Sequence, residues 1–152
     1  MNDSGSAPRI RPVVGGRGPA RERALHLLYE ADLTSSDGPS VLAGQVVAAD
    51  RYAEQLVNGV HENLAEIDGT IAALLPDGWA MGRLATLDRT ILRVAVYELA
   101  HCDDVPTRVV LSEAVSLAET YGTDDSPRFV NGLLAAAAAR VRSDPEPEVP
   151  VV

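Results

Sequence analysis

Sulfur chemistry is almost missing from this chain. Cys102 is its only cysteine, so no disulfide framework and no thiolate cluster for a metal can form within it. Aromatic residues make up 4% of the sequence. Ala, Leu and Val must therefore build the core, which favours helices over a β-sandwich. No apolar run approaches the length of a membrane span. The N-terminus carries arginines without the apolar stretch of a secretory signal, so the expected location is cytoplasmic. Sequence patterns for catalysis are also lacking: there is no CxxC pair, HExxH, GxSxG elbow or phosphate loop ending in GK[ST]. His26, His61 and His101 fall on separate helices or helix ends without partner spacing. Cys102 stands beside Asp103 and Asp104, which raise a thiol's pKa rather than activate it. Asp124 and Asp125, next to Ser126 and Pro127, read as cap and turn chemistry. The expectation is a protein that is not an enzyme and uses no cofactor or metal.

What is present is globular. Hydrophobic residues account for 46% and charged residues for 23% of 152 residues, enough for one domain. The formal net charge of −9 argues at first against nucleic acid. Its distribution reverses that reading. Arg9, Arg11, Arg17, Arg21 and Arg23 face only Asp3 and Glu22 within residues 1–23, whereas the remainder is strongly acidic. A basic end on an acidic body suggests an anionic ligand at one place and a different partner elsewhere.

The stretch LDRTILRVAVYELA (residues 87–100) organises the rest. At 3.6 residues per turn only Asp88, Arg89, Arg93 and Glu98 are charged, and a helix apolar nearly all round is surrounded by other helices. Before it, residues 1–18 lack helical periodicity and read as an arginine-containing arm. Pro19 suits a first helical position, and Ala20, Ala24, Leu27, Leu28 and Ala31 carry a helix over residues 19–33. Residues 41–49 are apolar but undecided between helix and loop. Asp50 can cap a helix bearing Ala53, Leu56, Val57, Val60 and Leu64. Another, with Ile67, Ile71, Leu74 and Leu75, stops before Pro76. Trp79, Met81 and Leu84 form a short apolar turn into the central helix. Beyond Pro106, Val110, Ala114, Leu117, Ala118 and Tyr121 share a face, closed by Gly122 as a C′ residue. Ser126 or Asp125 can cap the last helix, which runs through Phe129, Val130, Leu133, Leu134, Ala137, Ala138 and Val141 to about residue 142. Asn131 and Gly132 read as close-packing positions. Residues 143–152 form an acidic, Pro-rich tail. The expected fold is all-α, one domain of about seven helices over residues 19–142.

RGPARERALHLLYEADL (residues 17–33), LDRTILRVAVYELA and YGTDDSPRFVNGLL (residues 121–134) resemble, in order, the opening Arg-rich helix, central helix and closing motif of the bacterial antitermination factor NusB family. WAMGRLATLDR and VPTRVVLSEAVSLAETYG fit the segments between, so the resemblance spans residues 17–142. It implies two three-helix bundles around a central buried helix. It also implies binding of boxA RNA in ribosomal RNA leaders together with the ribosomal protein NusE, and action on the RNA polymerase antitermination complex. By the same resemblance Arg17, Arg21 and Arg23 fall at the RNA-binding end, where arginines supply phosphate contacts. Tyr29, Tyr121, Asp125 and Phe129 supply base stacking and a carboxylate for base donors. Asp88 falls at the partner-protein contact.

Gly18 and Pro19 interrupt the family's run of arginines, His26 stands where Gln is common, and Glu119 stands where Lys is usual. These departures imply weak RNA binding alone and stronger binding with the partner. A helical protein–protein adaptor without intrinsic RNA binding is the alternative, and exposed helix faces leave a homodimer open.

Overall fold

The computed structural model describes residues 17–142. Arg9, Arg11, most of the expected arm and the expected acidic tail lie outside the described residues. Seven α-helices follow one another: α1 (Gly18–Leu33), α2 (Gly38–Ala43), α3 (Arg51–Glu62), α4 (Leu64–Leu74), α5 (Thr86–His101), α6 (Thr107–Tyr121) and α7 (Ser126–Val141). A 3₁₀ turn, Met81–Arg83, leads into α5, and no strand occurs among the described residues.

The all-round apolar pattern of the central stretch is realised in α5. Within residues 90–99 every side chain except Arg93 is buried. α1 and α3 pack on one side of it, with α2 against both. On the other side lie α4, α6 and α7, with α7 against α4 and α6. Two groups of three helices thus share one buried helix, and the fully buried Leu25, Leu56, Ile71, Leu92 and Leu134 join them into one continuous core.

Aspartate caps set the starts of α2 and α3. Asp50 caps α3 as expected, accepting the Ala53 N–H at 2.9 Å. Asp37 caps α2 in the same way through Ser40. That short helix settles the undecided segment: it ends at Ala43, and Val46 and Val47 beyond it are exposed. Leu64, expected on the α3 face, opens α4 instead and is partly exposed. Trp79 also leaves the core, with Arg83 over its ring at 5.5 Å.

Three expectations about the closing motif need correction. Gly122 has φ −92°, so it is not a left-handed cap. It is required for space, because a Cβ would stand 2.6 Å from Ser126 and 2.8 Å from the Ala118 carbonyl oxygen. Neither Ser126 nor Asp125 caps α7 with its side chain: Ser126 Oγ accepts the Thr123 N–H at 3.0 Å, and the Asp125 carboxylate makes no cap bond. Asn131 and Gly132 do not pack against a neighbour. Both are exposed, and nothing lies within 4 Å of where a Gly132 Cβ would be.

Candidate nucleic-acid interface

Buried polar chemistry begins beneath the start of α1. Glu98 lies on the apolar strut, 1% exposed, where an unpaired carboxylate would be prohibitive. Arg21 answers it. The Arg21 Nε reaches both Glu98 oxygens at 2.9 Å and Nη2 reaches Oε2 at 2.9 Å, with Glu113 of α6 at 3.5 Å from Nη1. Burial works against the Arg21 charge, but Glu98 outweighs it and holds the guanidinium pKa above its ordinary value. The Tyr52 hydroxyl donates to the same carboxylate at 2.5 Å. Burial first, and Glu98 second, push its phenol pKa far up.

Arg21 is therefore not on the surface, where a phosphate contact needs it. It is 2% exposed, and its donors are spent on α5 and α6. The sequence pattern could not separate it from Arg17, because both sit at the start of one helix. Arg17 does reach the surface. Its guanidinium lies over the Tyr52 ring at 4.2 Å and its Nη1 meets Asp104 at 3.2 Å, with 39% of the side chain exposed. Arg23 is half-buried and donates to the Val47 carbonyl at 2.8 Å and to Gln45 at 3.3 Å, tying down the loop after α2.

The start of α1 is tied to α6 by side chains: Arg17 to Asp104 just before α6, Arg21 to Glu113, and Glu22 to Tyr121. The Tyr121 hydroxyl donates to Glu22, and this bond raises its pKa. His26 meets the Tyr121 ring edge-on, centroids 5.0 Å apart at 80°. Beside this pair an open groove of about 490 Å³ is lined by His26, Tyr29, Glu30, Leu33, Thr34, Leu87 and Tyr121. Tyr29 and Tyr121 thus share one site, and Arg17 stands at the other end of the same helix pair. Asp125 is exposed four residues after Tyr121, with no hydrogen bond to its carboxylate among the described residues, and Phe129 is half-buried against the core. His26 and Glu22 touch Tyr121, and Tyr52 and Asp104 touch Arg17, and none of these four was in the sequence-based set. The shared face of His26 and Tyr29, three residues apart on α1, was a signal available in the sequence.

Asp88 lies in the first turn of α5, and its Oδ1 is buried without a hydrogen-bond partner among the described residues. Among the described residues no group of His, Cys, Asp and Glu is suited to a metal ion, and no helix is long and apolar enough to cross a membrane. The Cys102 thiol is pushed up mainly by burial, with Asp104 only a minor contributor.

These features define an all-α class: two helix groups on a shared strut, with an exposed, ion-paired arginine at the start of α1 and an aromatic groove beside the second half of that helix. The NusB family model matches residues 18–139, and the chain belongs to this family of transcription antitermination proteins. It is 46% identical over 138 residues to the transcription antitermination protein NusB of Acidothermus cellulolyticus, covering 86% of this chain and 94% of the relative. The solved structure of T. maritima NusB superposes with a TM-score of 0.74 at 32% identity, over 81% of this chain and 90% of that one. A chain from a crystal structure of antitermination factors NusB and NusE in complex with dsRNA superposes at 0.70 and 27% identity, covering 82% of this chain and 96% of that one.

Proposed function

We propose that this protein binds boxA-type single-stranded RNA of ribosomal RNA leaders jointly with NusE, and so helps RNA polymerase pass terminators. The observation that carries the reading is the groove beside the second half of α1, closed by Leu87 of α5 and Tyr121 at the end of α6. It offers Tyr29, His26 and Tyr121 as apolar and aromatic surface, with the Arg17 guanidinium exposed at the far end of the same helices. Single-stranded RNA presents base faces and phosphates together, and aromatic stacking with spaced cations suits it better than it suits a folded acidic protein. Asp125, uncommitted to its own helix, supplies an acceptor for base amino groups. Arg17 is the phosphate ligand. Arg21 holds α1 from inside, and Arg23 tethers the loop after α2. Phe129 seats the start of α7. Asp88, half-buried in the first turn of α5, is the carboxylate for the basic partner. The likeness to a chain crystallised with NusE and dsRNA supports joint assembly with NusE on RNA.

The test is a titration of boxA-like RNA with and without NusE, using the native chain and Tyr29→Ala. The reading requires tighter binding with NusE and a loss in Tyr29→Ala of about tenfold, within the ~1–3 kcal/mol that a stacked base contributes. No RNA binding in either condition, with NusE still bound, would leave the protein adaptor as the function.

A further inference from the structure

The exposed cation of the site already has an anion beside it. Arg17 meets Asp104 through one approach of 3.2 Å, and the rest of its fork has no acceptor among the described residues. Its position is not left to a mobile side chain. The guanidinium lies 4.2 Å above the Tyr52 ring, and the hydroxyl of that ring is fixed by the buried Glu98 at 2.5 Å. The Arg17 cation is thus held on a rigid platform within reach of an incoming phosphate. Asp104 projects from the connection between α5 and α6, 69% exposed.

We infer that Asp104 sets the RNA affinity of this protein by competing with phosphate for Arg17. The inference rests on the RNA-binding reading above. A phosphate approaching Arg17 must either displace the Asp104 carboxylate or lie beside it. The first route breaks an existing ion pair. The second places two anions on one guanidinium. Both lower the affinity below what the stacked arginine alone would give, and neither needs a change of fold. The weak unaided binding expected from the interrupted arginine run thereby gains a second, local cause. Asp103 is the internal control: it is adjacent and exposed, with the same formal charge and no ion pair among the described residues.

The experiment measures the affinity of a short boxA-like RNA for the full chain and for Asp104→Asn, Asp103→Asn, Arg17→Ala and Arg17→Ala/Asp104→Asn at low and high salt. Thermal melts confirm that each variant is folded. Asp104→Asn should tighten binding about two- to fivefold at low salt, the range that exposed ion pairs give, with the gain shrinking at high salt. Asp103→Asn should give clearly less, and the Asp104→Asn gain should vanish when Arg17 is Ala. An equal gain in the Arg17→Ala background, or no gain at all, overturns the competition. If Arg17→Ala alone leaves affinity unchanged, Arg17 is no phosphate ligand and the inference fails while groove binding stands. If no variant binds RNA with or without NusE, the underlying reading fails.

Discussion

All thirteen basic side chains in this protein are arginines, and several serve the fold rather than a ligand. Arg93 grips Asp68 through two bonds of 2.8 Å. Arg142 donates to the carbonyls of Glu98, Leu99, Cys102 and Val105 and to Thr107 Oγ1, closing the end of α5 with its whole fork. A lysine has one point charge and no such fork, so it could not replace either. Arg21 is the most committed of them. Arg21→Ala should cost about 3–5 kcal/mol in denaturant unfolding, because it leaves Glu98 buried and unpaired. Arg21→Met with Glu98→Leu should recover most of that loss; a double variant as unstable as the single one would show that the pair itself, not the orphaned charge, holds the site. Tyr52 gives the same cluster a pH signature. Its folded-state pKa is raised by burial and Glu98, so the folded protein keeps a proton that the unfolded chain releases above about pH 10. Stability from this group is complete below that pH and falls above it, by up to about 1.4 kcal/mol per pH unit. Unfolding measured from pH 8 to 11 should show the fall, and Tyr52→Phe should flatten it.

The helices meet at distances that particular small residues permit. Gly59 on α3 faces Tyr97 on α5 so closely that a Cβ would stand 2.3 Å from the ring. Gly69 on α4 has nothing within 4 Å of the same position. Substituting Ala should therefore act in opposite directions. Gly59→Ala should destabilise by about 1–3 kcal/mol, since the α3–α5 contact must open, while Gly69→Ala should stabilise by about 0.5–1 kcal/mol through helix propensity. Paired melting curves check both, and two shifts of one sign would refute the contact. This contrast also marks what could be read in advance. Periodicity reports which face of an element is buried, so α5 and the apolar faces of α3, α4 and α7 were legible, as was the Asp50 cap. It does not report what lies across the interface. Gly59 and Tyr97 are far apart in sequence, and so are Arg21 and Glu98. The apolar Val46 and Val47 lie exposed in a loop held by Arg23, a tether invisible to any local pattern.

At the scale of the whole molecule, the charge that counts for a ligand is not the charge that composition tallies. Arg17, Arg21 and Arg23 form one basic cluster in the sequence, yet Arg21 is buried on Glu98 and Arg23 is tied to the loop after α2, which leaves Arg17 the most exposed of the three beside the groove helices. The aromatic half of the candidate site was legible as residue types in a family pattern. The basic half was legible only as a cluster, because a sequence does not say which arginine meets an internal carboxylate. This division can be measured through salt. Each phosphate contact to a single strand adds about 0.7 to the magnitude of the slope of log affinity against log salt. Arg17→Ala should reduce the slope for boxA-like RNA by about that amount. Arg21→Met/Glu98→Gln, which removes a cation of equal formal charge together with its internal charge partner and keeps an acceptor for the Tyr52 hydroxyl, should leave the slope unchanged. If instead the Arg21 variant lowers the slope and the Arg17 variant does not, the buried ion pair must open on binding, and the surface assigned to RNA must be redrawn around Glu98.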